Sequence, residues 1–187
     1  ARNSDFDGFA INEGDYLALL DGKLFGTERD ITSLLTRLAA LAAEREARER
    51  AANEREDIDP SELALRIVEL VNEERVRKGK TELEINDELM ESARVRAEEV
   101  SENFSHTRPD GTSYTTAITL EYAAAAENAA HVYGHTMEEI AHDALDAWIK
   151  SPGHHVAMIQ SKWSDTGVGV YVNGTQVSVA QLFIKNK

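Results

Sequence analysis

The chain has 187 residues, of which 42% are hydrophobic, so it is long enough for one domain with a buried core and an additional segment. It carries 34 acidic and 20 basic side chains, and its formal net charge of −14 repels the phosphates of nucleic acids and of anionic membranes. The absence of cysteine excludes disulfides, zinc–thiolate sites and a cysteine nucleophile, so any metal must be bound by His, Asp or Glu.

Two further properties concern membranes and export. No apolar run approaches the roughly 20 residues of a membrane-spanning helix, so the sequence predicts no transmembrane segment. It also contains no basic and apolar pattern typical of a signal peptide. The first residue is Ala1 rather than methionine, and we expect this to be a processed end.

The N-terminal part is predicted to form a hairpin followed by a helix. Residues 9–25 carry apolar stretches on either side of an Asp-Gly dipeptide, which is typical of a tight hairpin turn. Apolar residues from Ile31 to Ala42 recur at the spacing of one helix face. The stretch 44–57 is charged, with glutamates four residues before arginines, which is typical of a solvated helix or linker.

A strong helix start marks a new domain. Asp59 stands at an N-cap position, Pro60 at the first helical position and Glu62 at the position of a capping-box glutamate. We therefore divide the chain into an appendage of residues 1–58 and a domain of residues 59–187.

This domain is predicted to contain helices first and strands last. Helical patterns begin near Asp59, Asn86 and Thr136, and the last of these helices places Trp148 on its inner face. Two alternating segments then flank an Asn-Gly turn at residues 173–174, the pattern of a hairpin. The predicted fold class is α+β, with helices packed on a small antiparallel sheet.

The segment AWIKSPGHHVAM contains several residues that can take part in binding or catalysis. Pro152 disfavours helical geometry at Ser151, and Gly153 permits a sharp reversal. The chain is therefore predicted to turn here and to present His154 and His155 at the rim of a cleft.

Six segments follow one another in an order known from one protein family. They are VNEERVRKGKTELEINDEL, SHTRPDG, AENAA, AWIKSPGHHVAMI, SDTGVGVYV and VAQLF. Residues 61–187 thereby resemble the CAP superfamily of cysteine-rich secretory, antigen 5 and pathogenesis-related proteins, in its bacterial SCP-like form. The resemblance implies an α-β-α sandwich in which the small sheet lies between helices.

The resemblance also implies a central cleft that gathers two histidines and two acidic residues. His106 and His154 match the paired histidines, and Glu127 matches one of the acidic residues. Ser151 stands where eukaryotic members have the second glutamate, and bacterial members commonly have serine there. Ala126 replaces the glycine that precedes the first acidic residue, Glu127, in the family pattern. These departures leave one acidic position of the family without a carboxylate.

Two neutral imidazoles and a carboxylate are a donor set for a divalent cation such as Zn²⁺, with a position left open for water. His106 and His154 lie far apart in sequence, so the resemblance rather than their spacing makes them the expected metal ligands. Glu127 has two alternative roles: a general base or tautomer-fixing partner of a histidine, and a structural carboxylate that anchors a loop. His155 is a further candidate ligand, but adjacent side chains usually diverge, and we favour solvent exposure for it. His131, His135 and His142 are also predicted to face solvent.

Two hypotheses about function follow. In the first, a non-catalytic extracellular or cell-surface module binds a divalent cation and a small apolar ligand, such as a lipid or sterol, or a protein partner. In the second, the same cleft is a metal-assisted hydrolase, such as a peptidase, that uses His106, His154 and Glu127. A serine hydrolase is disfavoured because no GxSxG motif accompanies the serines near these histidines. We favour the binding module.

Overall fold

The computed structural model describes residues 18–20, 23–25, 28–53 and 56–187. By its backbone contacts the chain divides into two units, residues 1–54 and 55–187.

The first unit contains a short hairpin and a long helix. Strands β1 (Ala18–Leu20) and β2 (Lys23–Phe25) pair in antiparallel register, as predicted for this part of the chain. The rest of the predicted hairpin, residues 9–17 and the turn at 21–22, lies outside the described residues. Helix α1 (Glu28–Asn53) continues into the charged stretch, which is therefore helical at least as far as Asn53.

The second unit has helices on both faces of a sheet, which confirms the predicted α+β class and α-β-α sandwich. Its helices are α2 (Pro60–Arg77), α3 (Asp87–Glu102), α4 (Met137–Lys150) and α5 (Pro152–Met158), and its strands are β3 (Glu84–Ile85), β4 (Ala124–Tyr133), β5 (Asp165–Asn173) and β6 (Gln176–Lys185). The strand order is β3-β5-β6-β4. The three long strands are antiparallel, and the two-residue β3 adds to β5 in parallel.

Local capping signals begin the helices where the sequence predicts. The Asp59 side chain accepts hydrogen bonds from the first turn of α2, and Asn86 does the same for α3. Thr136 and Glu139 form a capping box at the start of α4. None of the helices described is both long enough and apolar enough to cross a bilayer.

Two hydrophobic cores hold the sandwich together. The larger core lies between the sheet and helices α2 and α4, and it contains the fully buried Trp148. The smaller core lies on the other face, where α3 places Leu89 and Ala93 against β6. Gly167 and Gly169 of β5 also point to this face, and their lack of a side chain lets the backbone of α3 approach closely. The close contact between these two glycines and the backbone of α3 therefore fixes the helix on the sheet.

We predict that the second unit folds without the first, but its boundary includes Glu56. The backbone N–H of Glu56 donates to His135 O, and its carboxylate accepts a hydrogen bond from Met137 N at the start of α4. Chains that begin at Arg55 and at Asp57 are both expected to fold, with the shorter one less stable by about 1 to 2 kcal/mol because it lacks these two bonds. Circular dichroism and urea titration measure both properties. An unfolded 55–187 chain would show that the first unit belongs to the same folding unit.

Candidate functional site

Strand β4 organises the candidate site, although the sequence pattern does not predict a strand there. It lies at one edge of the sheet and pairs along its whole length with β6. Neighbouring residues of a strand point to opposite faces. Glu127 therefore points to the face covered by α3, and Asn128 to the face covered by α2, α4 and α5.

The carboxylate of Glu127 is buried and joins an arginine and a histidine. Arg96 of α3 donates from Nε to Glu127 Oε2 at 2.7 Å and from Nη2 to Oε1 at 3.2 Å. The Nδ1 of His106 lies 2.7 Å from the same Oε1. Glu127 and His106 are thus brought together as the resemblance implies, and Arg96 is a further member of the site.

Arg96 extends this network toward the segment that carries His106. Its guanidinium also donates to the carboxylate of Glu99 and, over 2.7 Å, to the backbone oxygen of Ser105. Arg108 donates to Glu99 from the other side, at 2.7 Å. Burial lowers the pKa of Arg96, but its hydrogen bonds with Glu127 and Glu99 outweigh burial and raise it. The group therefore stays charged at neutral pH.

Sequence reasoning missed Arg96, although the pattern contains a signal for it. The residue lies three positions after Ala93 and four before Val100, within the apolar stripe of α3. Arginine is almost never fully buried unless it is paired. A charged residue inside such a stripe therefore indicates hydrogen-bond acceptors buried elsewhere in the fold.

The imidazole of His106 lies beyond the end of α3, and 56% of its side chain is exposed. Its hydrogen bond with Glu127 raises the pKa of His106. In the neutral ring Nδ1 carries the proton that is donated to the carboxylate, so Nε2 has its lone pair available. In this tautomer the ring can bind a metal ion through Nε2.

His154 reaches the site from the opposite face of the sheet. Asn128 donates from Nδ2 to the backbone oxygen of His154 at 3.1 Å, which ties α5 to β4. The centroids of the His106 and His154 rings are 6.3 Å apart, with the rings inclined at 74°. Burial, and then the charge of His106, lower the pKa of His154. The two imidazoles thus meet at the edge of the sheet, and the second is mostly neutral at neutral pH.

Tyr114 stands beside His106 and was not predicted from the sequence. The two ring centroids are 6.0 Å apart in an edge-to-face arrangement. The Tyr114 hydroxyl donates to Ala125 O of β4 over 3.4 Å. Burial, followed by the nearby charge of Glu127, raises the pKa of Tyr114. The phenol therefore stays protonated at neutral pH and lines the cleft as a neutral polar group.

The predicted reversal at Gly153 is wrong. Ser151 is extended, as predicted for a residue before proline, but Pro152 then begins the new helix α5 and Gly153 lies inside it. Proline suits the first turn of a helix because its missing N–H would be unpaired there. His154 is therefore displayed from a helix rather than from a tight turn.

Two of the histidines that were predicted to face solvent are partly buried instead. The Nε2 of His155 lies 3.1 Å from the buried carboxylate of Glu74. His131 donates from Nε2 to Val100 O, and its ring packs against Phe104. Each ring is partly buried by contacts with residues of other parts of the chain, which spacing in the sequence does not reveal. The prediction is confirmed for the other two, His135 and His142.

The described side chains of the cleft do not form a structural metal site. Among the described residues, no cluster of three or more His, Asp or Glu side chains is placed to hold a metal ion. Both oxygens of Glu127 are engaged by Arg96 and His106, so the donors that remain are the imidazoles of His106 and His154. Structural zinc sites have four protein ligands. Two imidazoles leave further coordination positions for water or for ligand atoms.

Comparison with known proteins places this arrangement in a family. Residues 68–183, more than half of the chain, match the family described as CAP: Cysteine-rich secretory protein family. The chain belongs to the CAP family. The match begins within α2, includes the strand that carries Glu127 and ends in β6, so it contains every residue of the cleft described above.

Individual CAP proteins share sequence and fold with this chain. The uncharacterized protein YkwD of Bacillus subtilis (strain 168) is 30% identical over 115 residues, which are 59% of this chain and 43% of YkwD. An extracellular protein with an SCP domain from Bacillus anthracis str. Ames superposes with a TM-score of 0.59 at 23% identity, over 68% of this chain and 41% of that one. The chain therefore spans less than half the length of either protein.

A third comparison matches almost a whole protein. An outer surface protein from Borrelia burgdorferi superposes with a TM-score of 0.60 at 24% identity, over 70% of this chain and 97% of that one. The part of the fold that the two chains share thus makes up almost the whole of that solved chain. At this level of identity, the comparison concerns the fold alone.

Proposed function

We propose that this CAP domain is an extracellular or cell-surface binding module in which His106 and His154 bind a divalent cation. The observation that carries the proposal is the approach of the two imidazoles to a centroid distance of 6.3 Å from opposite faces of the sheet. The buried carboxylate of Glu127 supports it, because metal-binding histidines commonly donate their second ring N–H to such a group. The descriptions of two fold relatives as extracellular and outer surface proteins support the location.

Each side chain then has a distinct part in binding. Glu127 holds the His106 ring with Nε2 available, and Asn128 fixes the helix that carries His154. A bound Zn²⁺ would act as a Lewis acid at the open positions and attract an oxygen or nitrogen atom of a ligand. The ion pair with Arg96 favours a positioning role for Glu127 over the role of a general base, which is why we place binding before hydrolysis.

The charge of the chain favours a cationic partner, and neither of two surface depressions contains His106 or His154. One depression, of about 480 Å³, lies between α4 and the preceding loop, where Glu138, His142 and Asp143 are among its lining residues. A second depression, between α2, α3 and β5, measures about 180 Å³. Sites for small organic ligands usually measure about 300 to 1,000 Å³. The net charge of −14 adds attraction for a cationic partner.

The proposal is tested by calorimetric titration with Zn²⁺ at pH 7.5 and fixed ionic strength. His106→Ala and His154→Ala are each expected to weaken binding at least about tenfold, because each removes one of two protein ligands. His142→Ala is the matched control, since His142 is exposed on α4 and forms a hydrogen bond with Glu138 at the surface, away from the two cleft histidines. Equal affinity in all four proteins would contradict the proposal. Peptide hydrolysis that needs both cleft histidines would instead support the hydrolase.

The same titration between pH 5 and 8 is expected to show a two-step loss of affinity on acidification. Both rings must be neutral to bind a metal ion, so protons compete with it. The pKa of His106 is raised by Glu127, so its proton competes first, above the ordinary value of 6.5. The pKa of His154 is lowered by burial, so the second proton competes at a lower pH. Affinity should fall about tenfold per pH unit where one ring is protonated, and about a hundredfold per pH unit where both rings are protonated. A flat profile would exclude both histidines as ligands.

A further inference from the structure

We propose that Arg96 is the positioning residue of the cleft, because one buried guanidinium fixes both the carboxylate that orients the His106 ring and the backbone next to His106. The inference deepens the proposed cation-binding function and rests on it only for the metal readout. Its geometric part concerns the ring of His106 and is testable without a metal.

Arg96 reaches His106 by two separate routes. The first runs through the side chain of Glu127, which receives Nε and Nη2 on its two oxygens and holds the His106 ring by Oε1. The second runs through the backbone, since Nη2 also donates to Ser105 O at 2.7 Å. The guanidinium of Arg96 therefore holds both the His106 ring and the main chain of the loop that carries it.

The chemistry of this position requires a guanidinium rather than any cation. Only 1% of the Arg96 side chain is exposed, and the Glu127 side chain is fully buried. A planar fork satisfies two carboxylates and a carbonyl oxygen at fixed angles, whereas an ammonium group is a point charge with three donors. Glu99 occupies the remaining edge of the fork and is itself held by Arg108. The four charges alternate in sign from β4 to the loop, so each is paired.

If the Arg96–Glu127 ion pair had a purely structural role, loss of Arg96 would change stability without changing the His106 tautomer. Replacement of a buried ion pair by apolar groups is often neutral for stability, and removal of one partner is costly without regard to any nearby ring. A positioning role requires in addition that the tautomer of His106 changes. Without Arg96, the Glu127 carboxylate loses the group that fixes its orientation, so Oε1 is no longer held within hydrogen-bonding distance of His106 Nδ1. The His106 ring is then free to rotate and to adopt the Nε2–H form, in which Nε2 is no longer a donor to a metal.

The experiment compares Arg96→Lys and Arg96→Met with the wild type and with Arg94→Met. Arg94 lies on the same helix, two residues away, and pairs at the surface with Glu91, so it controls for loss of an arginine on α3. Long-range ¹H–¹⁵N spectra of the histidine rings, recorded without metal at pH 9, report which nitrogen of His106 carries the proton. Zn²⁺ affinity at pH 7.5 is the second readout.

The wild type and Arg94→Met are expected to show His106 in the Nδ1–H form, and Arg96→Met to show a shift toward Nε2–H with at least about tenfold weaker Zn²⁺ binding. Arg96→Lys should lie between them. Wild-type ring spectra in a folded Arg96→Met protein would overturn the inference. Where the Met variant does not fold, wild-type spectra and affinity in Arg96→Lys would overturn it. If the wild type binds no Zn²⁺, the proposed function fails, and the ring spectra still decide the role of Arg96.

Discussion

Replacement of Trp148 by alanine is expected to lower the free energy of unfolding by about 3 to 5 kcal/mol, more than any histidine substitution. Trp148 lies on α4, is fully buried in the larger core and is the largest of the completely buried side chains. Its removal takes apolar area out of the core and leaves a cavity that the surrounding helices and strands fill only in part. Urea titration followed by far-UV circular dichroism measures the loss.

The matched variant is Trp148→Phe. Within the described part of the chain, the buried indole N–H of Trp148 has no hydrogen-bond acceptor. The phenylalanine variant therefore loses packing but no hydrogen bond, and it should retain a large part of the stability. His106→Ala removes a half-exposed ring and is expected to cost about 1 kcal/mol. An alanine variant of Trp148 with an unchanged denaturation midpoint would be incompatible with this core.

The helices could be predicted from the sequence because their signals are local. Asp59, Asn86 and the pair Thr136 and Glu139 cap the helix starts that they are expected to cap. Each of these signals depends on hydrogen bonds between residues two to three positions apart. The Asn-Gly turn between β5 and β6 is equally local, with Gly174 at a positive φ of 59°. Such signals are independent of the rest of the fold.

Strand β4 could not be predicted in this way because its stability comes from a partner distant in sequence. The segment AAAENAAHVY has five alanines, which are depleted in strands, and it lacks a regular alternation. Its strand conformation is stabilised by pairing with β6 over ten residues, from Ala124 with Lys185 to Tyr133 with Gln176. Small side chains also suit a strand that has helices on both faces. Tertiary pairing overrides local propensity here.

The cleft could be predicted only through the family resemblance. His106 and Glu127 are 21 positions apart, and Asn128 contacts the backbone of His154 from 26 positions away. No spacing rule connects such residues, because the sheet and α5 bring them together. Arg96 and Asn128 were missed for the same reason, although an arginine in an apolar helix stripe is itself a signal. Metal binding by His106 and His154 stays a prediction.

Gly169→Ala is expected to cost about 3 kcal/mol, at the upper end of the range for overpacked sites. A Cβ atom at Gly169 would lie 2.1 Å from the backbone carbon and oxygen of Ala93 in α3. Backbone atoms cannot rotate away as a side chain does, so the whole helix must shift from the sheet. Because α3 also carries Arg96, this shift should separate Arg96 from Glu127 and weaken Zn²⁺ binding together with stability.

The control is Gly153→Ala in α5, where a Cβ atom would have no neighbour within 4 Å. Alanine is the better helix former, so this variant should be neutral or more stable by up to about 1 kcal/mol. Gly169 lies under α3 and Gly153 lies next to His154, and their substitutions are expected to act in opposite directions. Urea titration of both variants measures this difference. A Gly169→Ala protein as stable as the wild type would show that α3 is free to move away from β5, and the sheet would then not fix the distance between Arg96 and Glu127.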